Sequence, residues 1–151
     1  MSAVSELRVI AYTADGLLDV DPAYAETLRL SGTDGEGEVL VAEDGDRLLG
    51  TIMFEPWSPR SELARGADEA EARAFAVAPQ ARGQGVGRAL VNALVERARE
   101  EGVSRLLLSV QPQMRAAQYV YRARGFVRVP ERDWSPVPGA SLLVYELVLK
   151  E

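Results

Sequence analysis

Neither cysteine nor histidine occurs among the 151 residues of the sequence. Without cysteine there are no disulfides, thiolate nucleophiles or zinc–thiolate sites. Without histidine there is no imidazole acid, base or metal ligand, and a Ser-His-Asp triad is excluded. The sequence also lacks an apolar run of about 18 residues, which would indicate a transmembrane helix, and Met1–Ile10 does not resemble a signal peptide. We therefore expect no bound metal, no membrane association and a cytoplasmic location.

Basic residues are outnumbered by acidic ones, 17 to 23, which gives a formal net charge of −6. Nucleic acids and anionic membrane surfaces attract basic proteins, so this charge argues against both as partners. Lys150 is the only lysine and the other basic residues are arginine, a usage typical of high-GC bacterial genomes. The length and the ordinary content of apolar residues predict a single domain over residues 1–151.

The pattern of apolar and turn-forming residues predicts an α/β domain with a mixed sheet. Strands are predicted at Leu7–Ala11, Val39–Glu43, Arg47–Phe54, Ala70–Val77, Leu106–Val110, Phe126–Val129 and Leu142–Leu149. Helices are predicted at Ala14–Val20, Pro22–Leu30, Gly85–Glu101 and Met114–Arg124. Asp44-Gly45 between two apolar runs indicates a hairpin. Pro56–Asp68 and Asp133–Ala140 are expected to be loops.

A glycine-rich segment between a predicted strand and the longest predicted helix is the most informative part of the sequence. It reads Val77-Ala78-Pro79-Gln80-Ala81-Arg82-Gly83-Gln84-Gly85-Val86-Gly87-Arg88. The first turn of a helix leaves backbone N–H groups unpaired and attracts anions. Glycines at three positions let a phosphate approach the backbone, and two arginines add donors. The segment predicts a phosphate or pyrophosphate pocket, although a P-loop would need a lysine here and a Rossmann fingerprint would need glycine in place of Arg88.

The same segment resembles motif A of the GNAT superfamily of acyl-CoA N-acyltransferases. That motif is Gln or Arg, two residues, Gly, one residue, and Gly or Ala, which Arg82, Gly85 and Gly87 satisfy. A second element, Tyr121-Arg122-Ala123-Arg124-Gly125-Phe126, resembles the family's C-terminal block, in which a helix ends in Tyr, three residues, Gly and Phe. The resemblance implies a twisted, mixed and mostly antiparallel sheet of about six to seven strands flanked by about four helices.

The resemblance also implies acetyl-CoA as co-substrate. Its pyrophosphate would be held by the residues Arg82, Gly83, Gln84, Gly85, Gly87 and Arg88. Pantetheine would fill a gap between a strand carrying Phe75, Ala76 and Val77 and the strand Leu106–Val110, with the Val77 N–H polarising the thioester carbonyl. Met114 stands where the family often has an asparagine that contacts pantetheine. Gln111 or Gln113 would have to make that contact instead.

For the reaction, the resemblance implies direct attack of an amine on the thioester, with Tyr121 protonating or hydrogen-bonding the leaving sulfur. A carboxylate or a chain of water molecules must take the amine proton, because the sequence has no histidine. Glu71, six residues before Val77, is the first candidate, and Glu69 and Glu55 are alternatives.

The strand pattern suggests how Glu71 would be held. Strand alternation would place Glu71, Arg73 and Val77 on one face. Arg73 would then be able to pair with Glu71 and keep it ionised.

The acceptor is left open. The resemblance implies that the first helices and the loops Pro56–Asp68 and Asp133–Ala140 build its site, where Trp57 and Trp134 would be able to stack on a ligand. A small amine and a peptide amine both fit, and a homodimer remains an alternative. Two other functions also remain open: a non-catalytic acyl-CoA sensor or partner-binding module on the same fold, and an acyltransferase that uses a longer acyl-CoA.

Overall fold

The computed structural model describes residues 37–45 and 47–150. Within them the strands are β1 (Glu38–Asp44), β2 (Arg47–Pro56), β3 (Glu69–Val77), β4 (Arg105–Val110), β5 (Val127–Arg128), β6 (Trp134–Val137) and β7 (Ala140–Val148), and the helices are α1 (Val86–Glu101) and α2 (Arg115–Arg124). Pro79–Ala81 and Pro130–Arg132 form short 3₁₀ turns. The predicted strand Leu7–Ala11 and the predicted helices Ala14–Val20 and Pro22–Leu30 lie outside the described residues.

The strands form a mixed sheet in the order β1-β2-β3-β4-β7-β5, and β6 pairs with β7. Strands β3 and β4 run parallel, and the other described pairs are antiparallel. A parallel pair needs a long crossover connection, and α1 supplies it. The expected fold class is confirmed. About four helices were expected, whereas the described part of the chain contains two α-helices.

Helix α1 covers the middle of the sheet with its apolar face. Val91, Leu94 and Val95 are fully buried and Leu90 is 3% exposed. They belong to one cluster with side chains from β2, β3, β4 and α2. Burying each such side chain stabilises the fold by about 1.5–3 kcal/mol. This packing holds the N-terminal end of α1 against the end of β3, where the glycine-rich segment lies.

Two predictions of secondary structure need revision at the C-terminal end. Asp133–Ala140 was expected to be a loop because of its prolines, but β6 lies there and pairs with β7 through Trp134 and Leu142. Proline is tolerated in a strand of this kind because β6 lies at an edge, where one backbone N–H need not pair. Strand β5 is also shorter than the predicted Phe126–Val129.

Strand β3 carries a bulge that shapes the centre of the sheet. Thr51 pairs with Ala76 and Met53 with Arg73, so Ile52 faces two residues of β3. One of these two, Ala74, has a positive φ of 55°. A bulge inserts one extra residue and reverses the alternation beyond it. The prediction that Glu71, Arg73 and Val77 share one strand face is therefore wrong.

Candidate active site

A gap opens between β3 and β4 on the C-terminal side of the bulge. The two strands pair from Glu69 with Arg105 as far as Ala72 with Leu108, and the pairing stops there. Beyond Ala72 the two strands are no longer paired, and a cavity of about 580 Å³ lies along the following residues of β3. Its lining residues come from the end of β3, the glycine-rich turn, the start of α1 and the start of α2.

Most of the residues predicted to hold a cofactor line this cavity. They are Phe75, Ala76, Val77, Arg82, Gly83, Gly85, Gly87 and Arg88. Gln84 does not line it, and its side-chain amide instead donates to the Gln80 carbonyl at 3.4 Å. The sequence prediction and the cavity therefore coincide along both the strand and the turn.

The start of α1 presents unpaired backbone donors to the cavity. The first helical hydrogen bond runs from the Ala89 N–H to the Gly85 carbonyl at 3.0 Å. The N–H groups of the residues from Gly85 to Arg88 precede it and have no partner within the helix. Gly83 and Gly85 have φ values of +79° and +81°, and a Cβ built at either would meet nothing within 4 Å. This is an open, positively polarised helix end that suits a phosphate group.

Gly87 has a different reason to be glycine. A Cβ at this position would lie 3.1 Å from the Phe75 ring and 3.8 Å from the Val77 side chain. Both side chains face α1 because the bulge reversed the alternation of β3. The sequence indicated that Gly87 leaves room for a phosphate, but in the structure it allows α1 to pack closely on β3.

The opposite wall of the cavity was only partly anticipated from the sequence. Gln113, Met114 and Arg115 line it, whereas Gln111 does not. Of the two glutamines considered for the missing asparagine, Gln113 is thus the one placed at the cavity. Arg115, at the first position of α2, joins Arg82 and Arg88 in the lining. In the sequence, Arg115 could have been recognised as a basic residue at the start of the second predicted helix.

One backbone donor of β3 points into the gap. The Ala78 N–H donates to the Leu49 carbonyl of β2 at 2.8 Å. Successive N–H groups of a strand point to opposite edges, so the Val77 N–H points away from β2. On that side lies the gap rather than a paired strand. This donor is placed to polarise a carbonyl oxygen.

A second, smaller cavity of about 60 Å³ adjoins the first, and Phe75 and Met114 line both. The smaller cavity is also lined by Glu71, Tyr121 and other residues of β3, β4, β6 and β7. The two predicted catalytic residues, far apart in sequence, are therefore brought to one cavity.

Tyr121 is 3% exposed and packs among aromatic rings. Its ring centroid lies 5.7 Å from that of Phe75, 5.9 Å from that of Phe126 and 6.2 Å from that of Tyr145. Burial raises the pKa of the Tyr121 hydroxyl. The group therefore stays protonated and can donate a hydrogen bond into the cavity.

Glu71 is fully buried. Its Oε1 accepts hydrogen bonds from the N–H groups of Leu63 at 3.1 Å and Ala64 at 3.3 Å. Burial raises the pKa of the Glu71 carboxyl, and the two N–H groups act in the opposite direction. A carboxylate with a raised pKa that is held in a fixed orientation is suited to accept a proton.

The other candidate bases make structural ion pairs and do not line the cavity. Glu69 pairs with Arg132 at 3.1 Å. Glu55 pairs with Arg73 at 3.4 Å, and Arg73 also pairs with Glu62 at 3.1 Å. The expected pairing of Arg73 with Glu71 is not seen. Among the three carboxylates considered, the cavity thus singles out Glu71.

The two tryptophans of the predicted acceptor loops are placed differently. Trp134 lines the smaller cavity, whereas Trp57 is 41% exposed and lines neither cavity. The loop Pro56–Asp68 contributes Glu62 to the smaller cavity. Over residues 37–45 and 47–150 we find no cluster of acidic side chains arranged to hold a metal. None of the helices seen there has the length and apolarity needed to cross a membrane.

Solved structures share this fold over nearly the whole chain. A ribosomal-protein-alanine N-acetyltransferase from Brucella melitensis is 23% identical, with a TM-score of 0.67 over 99% of this chain and 96% of that one. An acetyltransferase from Streptococcus agalactiae is 19% identical, with a TM-score of 0.73 over 97% and 89% of the two chains. A GNAT family acetyltransferase from Elizabethkingia anophelis, solved with acetyl-CoA bound, is 20% identical, with a TM-score of 0.64 over 88% of each chain.

Sequence comparison gives the family directly. No functionally curated protein matches this chain. The model of the acetyltransferase (GNAT) family, however, matches residues 3–126, which is most of the chain and includes the glycine-rich segment. The chain belongs to the GNAT acetyltransferase family.

Proposed function

We propose that this protein transfers the acetyl group of acetyl-CoA to a primary amine of a small molecule or peptide, with both substrates bound at once. The observation that carries the proposal is that two neighbouring cavities share Phe75 and Met114 in their linings. One begins at the open end of α1 and follows strand β3, and the other holds Glu71 and Tyr121.

The residues of the larger cavity fit acetyl-CoA. The N–H groups at the start of α1 and the guanidinium groups of Arg88 and Arg115 would hold the phosphates. The unpaired edge of β3 would hold the pantetheine arm as an added strand does. The bound co-substrate supplies an acyl group on a thioester. The membership of the chain in a family of acetyltransferases and the acetyl-CoA in a relative of the same fold support this assignment.

Three polar groups of the two cavities have a part in the reaction. The acceptor nitrogen forms a bond to the acyl carbon as the carbon–sulfur bond breaks, and the amine proton passes to Oε2 of Glu71. The Val77 N–H donates to the acyl oxygen. The Tyr121 hydroxyl donates a hydrogen bond to the leaving sulfur. The raised pKa of Tyr121 favours this role over complete proton transfer.

The short acyl group is supported by the size of the smaller cavity. The smaller cavity, where the acyl end and the acceptor nitrogen would lie beside Glu71, has a volume of about 60 Å³. That space suits an acetyl group better than a long acyl chain. The larger cavity has the room for the remainder of the co-substrate.

The test is release of thiol from acetyl-CoA in the presence of a panel of small amines and short peptides. The chain has no cysteine, so a thiol-reactive dye detects only the CoA product. We expect release that depends on the acceptor and that is much slower at neutral pH in the Glu71→Gln variant. Arg99→Gln, an exposed position outside both cavities, is the matched control and should keep the wild-type rate.

Other outcomes identify the alternatives. Tight binding of acetyl-CoA without turnover on any acceptor would favour a non-catalytic sensor. A faster reaction with propionyl-CoA or succinyl-CoA than with acetyl-CoA would favour a longer acyl donor. No binding of acetyl-CoA would contradict the proposal itself.

A further inference from the structure

Two buried polar atoms lack a hydrogen-bond partner among the described residues: Oε2 of Glu71 and Nε1 of Trp134. Leaving such an atom unpaired costs about 1–3 kcal/mol, so native proteins rarely keep one without a reason. Both residues line the same cavity of about 60 Å³. The coincidence indicates that the cavity is built to receive a polar ligand.

The two atoms have opposite hydrogen-bonding character. An ionised carboxylate oxygen only accepts, and an indole N–H only donates. They do not bond to each other, since each is unpartnered. A ligand that satisfies both must therefore bring one donor and one acceptor.

Both atoms are held in place before any ligand binds. The Glu71 carboxylate is fixed through its other oxygen by the N–H groups of Leu63 and Ala64. Trp134 is fixed by the pairing of β6 with β7 and by packing against the cluster that contains Leu63 and Val144. Fixed partners lower the entropic cost of binding.

We propose that Glu71 and Trp134 recognise the acceptor at two points, and that the acceptor is a primary amine with an uncharged oxygen on a neighbouring carbon, as in an amino alcohol or an α-amino amide. The amine donates to Oε2 of Glu71. Its nitrogen lone pair must remain free to attack, so it cannot accept from the indole. The Trp134 N–H therefore donates to the oxygen. This inference rests on the proposed function and names its acceptor class.

The charges that line the cavity disfavour an acceptor whose oxygen belongs to a carboxylate. Glu62 and Glu71 both line it and would repel the carboxylate of a free amino acid. Among the described residues of the lining the basic one is Arg73, which is already paired with Glu55 and Glu62. An amide or hydroxyl oxygen accepts from the indole without this repulsion.

A binding experiment tests the inference independently of turnover. The chain has two tryptophans, so a ¹⁵N-indole-labelled protein gives two indole N–H resonances by NMR, which Trp134→Phe and Trp57→Phe assign. Ethanolamine, propylamine, glycinamide and glycine are titrated with and without CoA. We expect ethanolamine and glycinamide to shift the Trp134 resonance downfield, and propylamine, the isostere of ethanolamine without the oxygen, and glycine to leave it in place.

The kinetic arm uses thiol release with the same acceptors. Trp134→Phe keeps most of the ring and removes the N–H. We expect it to lower kcat/KM for ethanolamine and glycinamide by about 5- to 10-fold, the value of one hydrogen bond, and to leave kcat/KM for propylamine unchanged. Trp57→Phe is the matched control and should change none of them. Comparing each variant with wild type on one acceptor cancels the different basicities of the amines.

The outcomes separate this inference from the proposed function. Turnover of ethanolamine and propylamine that Trp134→Phe lowers equally, with no selective indole shift, would overturn the inference and leave the acetyltransferase in place. A selective indole shift without release of CoA from any acceptor would support the two-point site and contradict the proposed function. Binding of glycinamide but not of alanyl peptides would identify a small-molecule acceptor, and binding of both would place a peptide N-terminus in the same class.

Discussion

The Tyr145 hydroxyl donates a 2.8 Å hydrogen bond to Oε1 of Gln118, and both side chains are buried. The Gln118 amide in turn donates to the Pro112 carbonyl at 2.9 Å. Arg122 donates to the same Gln118 oxygen at 3.3 Å and to the Tyr145 hydroxyl at 3.1 Å. Gln118 thereby ties β7 and α2 to the segment that precedes Gln113 in the wall of the larger cavity.

Replacing Gln118 with leucine should therefore affect both stability and co-substrate binding. The change removes the acceptor of the Tyr145 hydroxyl, which keeps only the hydrogen bond from Arg122, and the donor to the Pro112 carbonyl. We expect the free energy of unfolding to fall by about 1–3 kcal/mol and the affinity for CoA to fall with it. Urea denaturation and CoA titration measure the two effects.

Gln113→Leu is the matched control for the effect on stability alone, because Gln113 itself lines the larger cavity. Gln113 also precedes α2, but its side chain is exposed and bonds to the Gln111 side chain at 3.0 Å. Its replacement should change the unfolding free energy by less than about 0.5 kcal/mol. Equal stabilities of the two variants would show that the Gln118 hydrogen bonds do not support the fold.

Gly85→Glu tests the anion site at the start of α1. A Cβ at this position meets nothing within 4 Å, so the glutamate side chain extends freely and brings a negative charge to the helix end. We expect loss of measurable CoA binding. Since φ is +81°, any side chain here adds strain of about 1–2 kcal/mol, and Gly85→Ala controls for it.

The alanine variant should bind CoA much better than the glutamate variant at a similar stability. Isothermal titration with CoA and with pantetheine, which has no phosphate, distinguishes repulsion of the phosphates from a general loss of binding. Only the affinity for CoA should respond to the new negative charge. Equal CoA affinity in wild type and Gly85→Glu would contradict the assignment of this end of α1.

The sequence predicted those parts of the site that depend on local backbone rules. A strand, a glycine-rich turn and a helix lie where the pattern indicated, and the hairpin turn at Asp44 and the helix end at Gly125 do too. These features depend on a few adjacent residues. Glu71 was singled out by its position six residues before Val77, and it lines the smaller cavity. The separate prediction that it shares a strand face with Val77 is wrong because of the bulge.

The remaining features depend on contacts that are distant in sequence. The bulge at Ala74 is set by the register of β2 against β3. No local signal marks it, because alanine is neither a turn former nor tolerant of positive φ. The prolines of Asp133–Ala140 predicted a loop in place of strand β6. Its pairing with β7 brings Trp134 to the smaller cavity. The partners of Arg73 likewise follow from tertiary packing rather than from strand alternation.

Tyr121→Phe should lower turnover more than affinity. The phenylalanine ring keeps the packing against Phe75, Phe126 and Tyr145 and loses only the hydroxyl. We expect kcat to fall by about 10- to 100-fold, the value of one hydrogen bond to a charged leaving sulfur, and KM for acetyl-CoA to stay within about 2-fold. Steady-state kinetics and thermal denaturation check the two expectations. An unchanged kcat would show that the Tyr121 hydroxyl does not assist departure of the sulfur.

Glu71→Gln should slow the reaction in a way that depends on pH. Below the pKa of the acceptor amine the base must remove a proton, whereas near that pKa a growing fraction of the amine is already neutral. The loss in rate should therefore be large near neutral pH and shrink as the pH approaches the amine pKa. In wild type the acid limb of the profile should lie above the ordinary range of a glutamate, because burial raises the pKa of Glu71. A loss in rate that is the same at every pH would show that Glu71 is not the base.

The same variant should be more stable than wild type near pH 7. The pKa of Glu71 is raised in the folded protein, so the unfolded chain ionises first as the pH rises. The contribution of this group to stability is thus fully present below its unfolded pKa and is lost as the pH rises through the folded one. Glutamine keeps an oxygen for Leu63 and Ala64 and does not ionise. We expect a gain of about 0.5–2 kcal/mol at pH 7 that disappears towards pH 4 in urea denaturation. Glu55→Gln, which loses an ion pair with Arg73, should show no gain, and a gain of equal size there would exclude burial of Glu71 as the cause.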